Sequence, residues 1–185
     1  MNIPNLISLG RVILVPIVFW LLLTGETQYA FVLFVIAGIS DGVDGFLAKR
    51  YGWTTELGAY LDPLADKLLI VSIFVALGVK AALPSWLVIA VVSRDILIVT
   101  GVVLSWLLNR PVRIKPAIVS KANTLSQILL AGTVLADDGF GLGLEGTRIA
   151  LVWITGALTI ASLITYLRTW LRHMSGYELG DGSPG

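Results

Sequence analysis

Apolar runs of about twenty residues, the length that carries a helix across a bilayer, recur along this chain between short polar breaks. Leu9 to Leu23 holds one charged residue, Arg11. The chain of 185 residues is 56% hydrophobic and 14% charged, with a mean hydropathy of +0.88. A soluble core of this size has no need of so many unbroken runs, so the expected class is an all-α integral membrane protein. Without cysteine there is no disulfide framework and no thiolate metal site. The single histidine, His173, rules out a histidine cluster. A net charge of +1 offers no broad basic surface, so no nucleic-acid partner is expected. The start, Met1 to Asn5, lacks the charged, apolar and small-residue pattern of a signal peptide.

Six transmembrane helices are expected. They cover 9–23, 28–48, 58–79, a stretch from behind Pro84 to Leu108, 117–136 and 147–171, with Asn2 to Ser8 as a short interfacial segment and a kink at Pro16. One membrane domain spans 1–175, and a Gly/Ser-rich tail, 176–185, reads as disordered. With six spans, Arg11, Lys49, Arg50, Arg110, Arg113, Lys115, Arg168 and Arg172 fall on one side, which sets that side and both termini in the cytoplasm. Asp137, Asp138 and Glu145 fall on the outer loop as a solvated acidic turn, and the six tryptophans mostly fall near helix ends as interface anchors.

Four of the twelve acids stand where the second and third runs approach the cytoplasmic face: Asp41, Asp44, Asp62 and Asp66. Asp41 and Asp44 are spaced i, i+3 and Asp62 and Asp66 i, i+4, so each pair shares a helix face. A short turn from Arg50 to Leu57 makes the two helices antiparallel neighbours, and the four carboxylates converge. Unpaired they would repel and some would protonate. A hard divalent cation, Mg²⁺ or Mn²⁺, resolves this, and two ions about 3.5–4 Å apart would match a two-metal phosphoryl-transfer site. Gly38, Ser40, Gly42, Gly45, Ala48, Gly58, Ala59 and Ala65 leave space for close helix packing or for a diphosphate near the backbone. The plainer alternative is a set of helix-end acids facing water, with glycines that serve packing alone.

The pattern Asp41-x2-Asp44-Gly45-x2-Ala48-Lys49-x8-Gly58-x3-Asp62-x3-Asp66 resembles the signature of the CDP-alcohol phosphatidyltransferases. It departs from it once, in having Lys49 where the family normally has Arg. The run Pro4 to Arg11 also looks like the family's usual N-terminal start. The resemblance implies a six-helix integral membrane enzyme, often a homodimer, that moves a phosphatidyl group from CDP-diacylglycerol to an acceptor hydroxyl and releases CMP. It implies that Asp41, Asp44, Asp62 and Asp66 hold Mg²⁺ or Mn²⁺. It implies that Asp44, Gly45, Ala48, Lys49 and Gly58 line the cytidine diphosphate site, and that Asp66 acts as general base on the acceptor. Lys49 keeps the charge and loses the planar fork of Arg, so weaker nucleotide binding is expected.

The fourth and fifth runs bear on the acceptor. Arg94 lies deep in the fourth, beside Ser93 and Asp95; Arg113 and Lys115 fall in the next loop; Ser120, Lys121, Asn123, Thr124 and Gln127 open the fifth. A cavity lined by Arg94, Lys121 and the loop cations suits an acceptor that bears phosphate. The alternative is that Arg94 pairs with Asp95 and fixes packing, while the loop cations set topology. Two family branches use such an acceptor. The runs Ser93 to Asp95 and Arg113 to Thr124 resemble the CMP-forming cardiolipin synthases, whose acceptor is phosphatidylglycerol; phosphatidylglycerophosphate synthase, with glycerol 3-phosphate, is the alternative. The expected location is a bacterial inner membrane, multi-pass, with the site facing the cytoplasm. A small transporter that uses intramembrane carboxylates is the rival of another class.

Overall fold

The computed structural model describes the backbone of residues 3–51, 56–107 and 118–178, and the side chains of 9–42, 67–100 and 118–171. The described residues form six α-helices: α1 (Ile3–Leu23), α2 (Thr27–Tyr51), α3 (Glu56–Val79), α4 (Ser85–Leu107), α5 (Ile118–Phe140) and α6 (Glu145–Glu178). Their order and number match the six apolar runs.

Three ends lie well beyond the expected ones. Residues 3–8 continue α1 instead of forming a separate interfacial segment; α1 holds Pro16 inside it and ends at Leu23 as expected. α5 extends to Phe140, so Asp137 and Asp138 belong to its last turn. They are not a free acidic turn: Asp137 Oδ1 accepts from the Leu144 amide at 2.9 Å, and Asp138 pairs with Arg148 at 3.2 Å. α6 runs to Glu178, into the expected tail; 179–185 lie outside the described residues.

Two of the connections are closed by left-handed caps. Gly25, at φ +89°, ends α1 in a Schellman motif, with the Glu26 amide on the Leu21 carbonyl and the Gly25 amide on the Leu22 carbonyl. Ala81 does the same after α3 at φ 54°, a conformation an L side chain adopts only at a cost. Pro84 then stops any continuation of α3, and its carbonyl receives the Leu87 amide of the new helix.

The helices alternate in direction. Lys80 reaches Thr27, Gln28 reaches the Gly139 carbonyl and Arg148 reaches the Ala82 carbonyl at one end. Arg11–Asp41, Lys67–Asp95 and the contacts of Arg94 lie at the other, here called the inner end. α1 packs against both α2 and α3, α2 against α5, and α6 against both α5 and α4. Among the described residues α2 and α3 do not pack on each other; of the turn expected to pair them, from Arg50 to Leu57, 50–51 end α2, 56–57 begin α3 and 52–55 lie outside the described residues.

The interior combines an apolar half with a polar one. Val18, Leu22, Ile73, Phe74, Leu77, Leu87, Val91, Leu130 and Val134 are fully buried toward the outer end. Between α5 and α6, Thr159 donates to Asn123 Oδ1 at 2.9 Å. One turn along both helices this register sets Gln127 opposite Thr155, all four side chains being buried. One turn the other way it sets Ser120 opposite Ser162, and both accept from Arg94 Nη2. Large apolar side chains, among them Ile13, Trp20, Ile39, Ile89, Leu125 and Ile154, face outward. Two helices, Ile118–Phe140 and Glu145–Leu171, are long and apolar enough on their described residues to cross a membrane; Leu9–Leu23, Thr27–Gly42 and Lys67–Val79 are shorter apolar stretches.

Candidate functional site

At the inner end of α2, Asp41 meets Arg11 of α1, Nη1 to Oδ1, at 2.8 Å. The two partners differ in setting: Arg11 is 3% exposed and Asp41 46%. The buried cation therefore holds a carboxylate that keeps an open side. Arg11 bridges two packed helices: it stands on α1, which packs against α2, and its planar fork reaches the α2 carboxylate. Beside the pair lies a cavity of about 400 Å³ between α2, α3 and α5, lined by Phe34, Gly38, Ile70, Thr124 and Ile128 as well as Arg11 and Asp41. A Cβ built on Gly38 or Gly42 meets nothing within 4 Å, so at these two positions glycine leaves open space instead of admitting a neighbouring helix.

A second polar centre joins four helices. Asp95 Oδ1 of α4 accepts from Lys67 Nζ of α3 at 2.7 Å and from Arg94 Nη1 at 2.6 Å. Arg94 Nη2 continues to Ser120 of α5, at 2.6 Å, and to Ser162 of α6. Arg94 is 2% exposed and Asp95 6%. A carboxylate buried this far is stable only beside its cations, and here two cations on different helices share one of its oxygens.

A sequence profile described as CDP-alcohol phosphatidyltransferase matches residues 1–174. The chain belongs to the CDP-alcohol phosphatidyltransferase family. It is 35% identical over 184 residues to the chloroplast CDP-diacylglycerol–glycerol-3-phosphate 3-phosphatidyltransferase 1 of Oryza sativa subsp. japonica, covering 90% of this chain and 56% of the rice protein. It is 31% identical over 177 residues to the CMP-forming cardiolipin synthase of Rattus norvegicus, covering 87% of this chain and 58% of the rat protein. It is 33% identical over 174 residues to the CDP-diacylglycerol–glycerol-3-phosphate 3-phosphatidyltransferase of Escherichia coli K12, covering 90% of this chain and 93% of that one. The chain thus spans little over half the length of the rice and rat proteins and nearly all of the bacterial one.

In this member of the family, the signature residues are divided between described and undescribed parts. Asp41 is described and sits at the inner mouth of the cavity. The side chains of Asp44, Gly45, Ala48, Lys49, Gly58, Asp62 and Asp66 lie outside the described residues, as do Arg113 and Lys115 altogether. The backbone places Asp44 on α2 with Asp41, and Asp62 and Asp66 on α3. Among the described residues no three acids or histidines gather, because Asp41 alone of the four carboxylates is among them.

Of the expected cavity lined by Arg94, Lys121 and the loop cations, the described residues include Arg94 and Lys121. The Arg94 guanidinium is enclosed by Asp95, Ser120 and Ser162, while Lys121, next to Ser120, is exposed; neither lines the cavity beside Asp41. Through these contacts Arg94 links α4 to α5 and α6, as the alternative reading has it. Arg11 and Lys67 are the side chains that the sequence alone did not place at a site. Both had a signal: Arg11 interrupts an apolar run instead of flanking it, and Lys67 directly follows Asp66. A larger cavity, about 730 Å³, lies at the opposite end between Trp86, Trp153 and Arg148, far from the signature acids, so size does not mark the chemistry here.

Proposed function

We propose that this chain is a membrane-embedded phosphatidyltransferase that moves a phosphatidyl group from CDP-diacylglycerol to the hydroxyl of phosphatidylglycerol, releasing CMP and forming cardiolipin. The observation that carries the reading is the Arg11–Asp41 pair at the inner end of an apolar cavity, on the helix that continues into the signature. A lipid substrate needs that combination: apolar walls for its chains and charged groups at one end for its head. Polar side chains turned inward and apolar ones outward are what a bilayer demands of a helix bundle, which supports all six helices as spans. The grouping of cations at the inner end supports a site on the cytoplasmic side of a bacterial inner membrane. A homodimer is part of the same reading.

Asp41, Asp44, Asp62 and Asp66 would hold Mg²⁺ or Mn²⁺, and the donor set fits: carboxylate oxygens, one of them, Asp41, with an open side. Bound divalent ions would neutralise the diphosphate and stabilise the departing CMP. Asp44, Gly45, Ala48, Lys49 and Gly58 form the nucleotide side of the site. Asp66 takes the proton of the acceptor hydroxyl; that oxygen attacks the phosphatidyl phosphorus, and the bond from phosphorus to the CMP oxygen breaks. Arg113, Lys115 and Lys121 draw in the acceptor's phosphate, and Arg94 contributes by holding α4 against α5 and α6. Glycerol 3-phosphate as acceptor is the second reading, favoured by the bacterial relative matched over 93% of its length.

The test is product formation by the purified protein in detergent with CDP-diacylglycerol and Mg²⁺ or Mn²⁺, offered phosphatidylglycerol or glycerol 3-phosphate in parallel. Cardiolipin from the first alone supports the reading. Phosphatidylglycerophosphate from the second alone keeps the chemistry and replaces the acceptor. Formation of neither lipid product, with no CMP release, removes the function.

A further inference from the structure

The α3 helix carries Asp62 and Asp66, so the geometry of the proposed centre depends on how the inner half of α3 is held. Its described part, 67–79, is apolar except for Ser72 and one charged side chain, Lys67. Apolar packing is not directional, and an apolar helix face can turn or slide a little at small cost. An ion pair in a low-dielectric interior fixes both rotation and height.

In the pair of Lys67 with Asp95 the carboxylate lies in that interior, 7% exposed, and Lys67 reaches it from the rim, 35% exposed. Its Nζ donates to Asp95 Oδ1 at 2.7 Å, and the same oxygen receives Arg94 Nη1 at 2.6 Å. Arg94 in turn donates to Ser120 of α5 and Ser162 of α6. One carboxylate thus fastens α3, through the residue that follows Asp66, to the seam between α4, α5 and α6. Ser72, the other polar side chain there, bonds its own helix at the Leu69 carbonyl and adds no tie between helices.

We propose that Asp95 is a positioning residue for the transfer reaction: through Lys67 it sets the rotation and height of the α3 end that bears Asp62 and Asp66. This rests on the functional reading above. A displacement of about 1 Å in a reacting or ligating group is enough to cost about a hundredfold in rate, so a tie of this kind has a kinetic consequence even though Asp95 touches no substrate.

The experiment uses the full chain in detergent, with Mn²⁺ alone as the first probe and CDP-diacylglycerol turnover as the second. Asp95→Asn and Lys67→Met are each expected to raise the Mn²⁺ concentration that gives half of the metal-induced rise in melting temperature. Each should also lower kcat about 10- to 100-fold, the range seen when a group that orients a metal ligand is lost, with KM for CDP-diacylglycerol nearly unchanged. The double variant should be no worse than the more damaging single one, because both remove the same tie. Lys67→Arg should recover most of kcat. If Asp95→Asn does not fold, Lys67→Met leaves Arg94–Asp95 intact and decides by the same readouts. Variants that melt lower but keep the parent's Mn²⁺ midpoint and kcat, or losses that multiply in the double variant, overturn the proposal alone. A parent that shows neither a Mn²⁺ effect nor CMP release overturns the functional reading and this proposal with it.

Discussion

Arg11 Nη1 stands 2.8 Å from Asp41 Oδ1, a buried cation against a half-exposed carboxylate. The pair sets the orientation of the first signature acid from a different helix. Arg11→Ala is expected to leave Asp41 in place on α2 but free to rotate, and to lower CMP release about 10- to 100-fold. Arg11→Lys should fall between, since a point charge cannot reproduce the planar fork. Steady-state kinetics in detergent check this, and parental turnover in a folded Arg11→Ala protein would count against it.

Arg94 is the large buried side chain most exposed to the logic of desolvation. Arg94→Leu leaves Asp95, 6% exposed, with Lys67 as its remaining cation and Ser120 and Ser162 without their donor. Breaking a buried pair in this way costs about 3–5 kcal/mol. Thermal unfolding should show a large drop. The triple variant Arg94→Leu, Asp95→Leu and Lys67→Met should melt closer to the parent than Arg94→Leu, because no charge is left stranded. It should still be catalytically poor, because the tie on α3 is gone.

The six helices were legible in the sequence because length and hydropathy carry most of the information on a bilayer-sized helix, and because Gly25 and Pro84 mark the breaks. Pairings were not legible. Arg11 and Asp41 are thirty positions apart, Lys67 and Asp95 twenty-eight, and nothing local says which helices will pack. A lysine or arginine at the inner end of a span fits the topology rule whether or not it serves a site, so the place of Arg11 inside an apolar run marked it without naming its partner. Arg94 was ambiguous for another reason: its neighbour Asp95 offered a partner, and the loop cations offered a phosphate site. Burial decided it. The signature acids were visible because their spacing is fixed by one helix each, whereas their closure on a centre depends on the packing of two.

Removal of divalent metal tests the carboxylate cluster as a unit. Excess EDTA should abolish CMP release, and Mn²⁺ or Mg²⁺ should restore it. Asp41→Ala, Asp62→Ala and Asp66→Asn should each abolish turnover while the protein stays folded. Asp66→Asn is the most informative of them: the amide keeps the size of the side chain, removes the base and weakens a ligand. Full activity in EDTA or in any of the three variants would remove the mechanism.

Ala81 holds a left-handed conformation, φ 54°, at the position where Gly25 caps α1. An L residue there costs roughly 1–2 kcal/mol, partly offset because glycine loses more freedom on folding. Ala81→Gly should therefore raise the melting temperature by a few degrees, on the scale of about 2–4 °C per kcal/mol for a chain this long. Gly25→Ala should lower it by a similar amount. A melt of the two variants beside the parent settles the sign of each.

Gly156 meets the Trp86 ring so closely that a Cβ would lie 2.8 Å from Cη2 and 2.9 Å from Cζ3. The ring is 44% exposed and borders the outer cavity, with Trp153 beside it at a centroid distance of 5.6 Å and the planes tilted by 35°, so it can yield only by giving up part of that contact. Gly156→Ala should force the indole outward and cost about 1–3 kcal/mol, the range for overpacking. Trp86→Leu in the same chain should recover part of that loss, because a smaller side chain leaves space for the methyl group. Both residues lie at the outer end, away from Asp41 and Lys67, so kcat per folded molecule should not change. A melting curve and an active-site-normalised rate on the three variants separate the two effects: a fall in kcat with unaltered melting would mean that the outer end is coupled to the site.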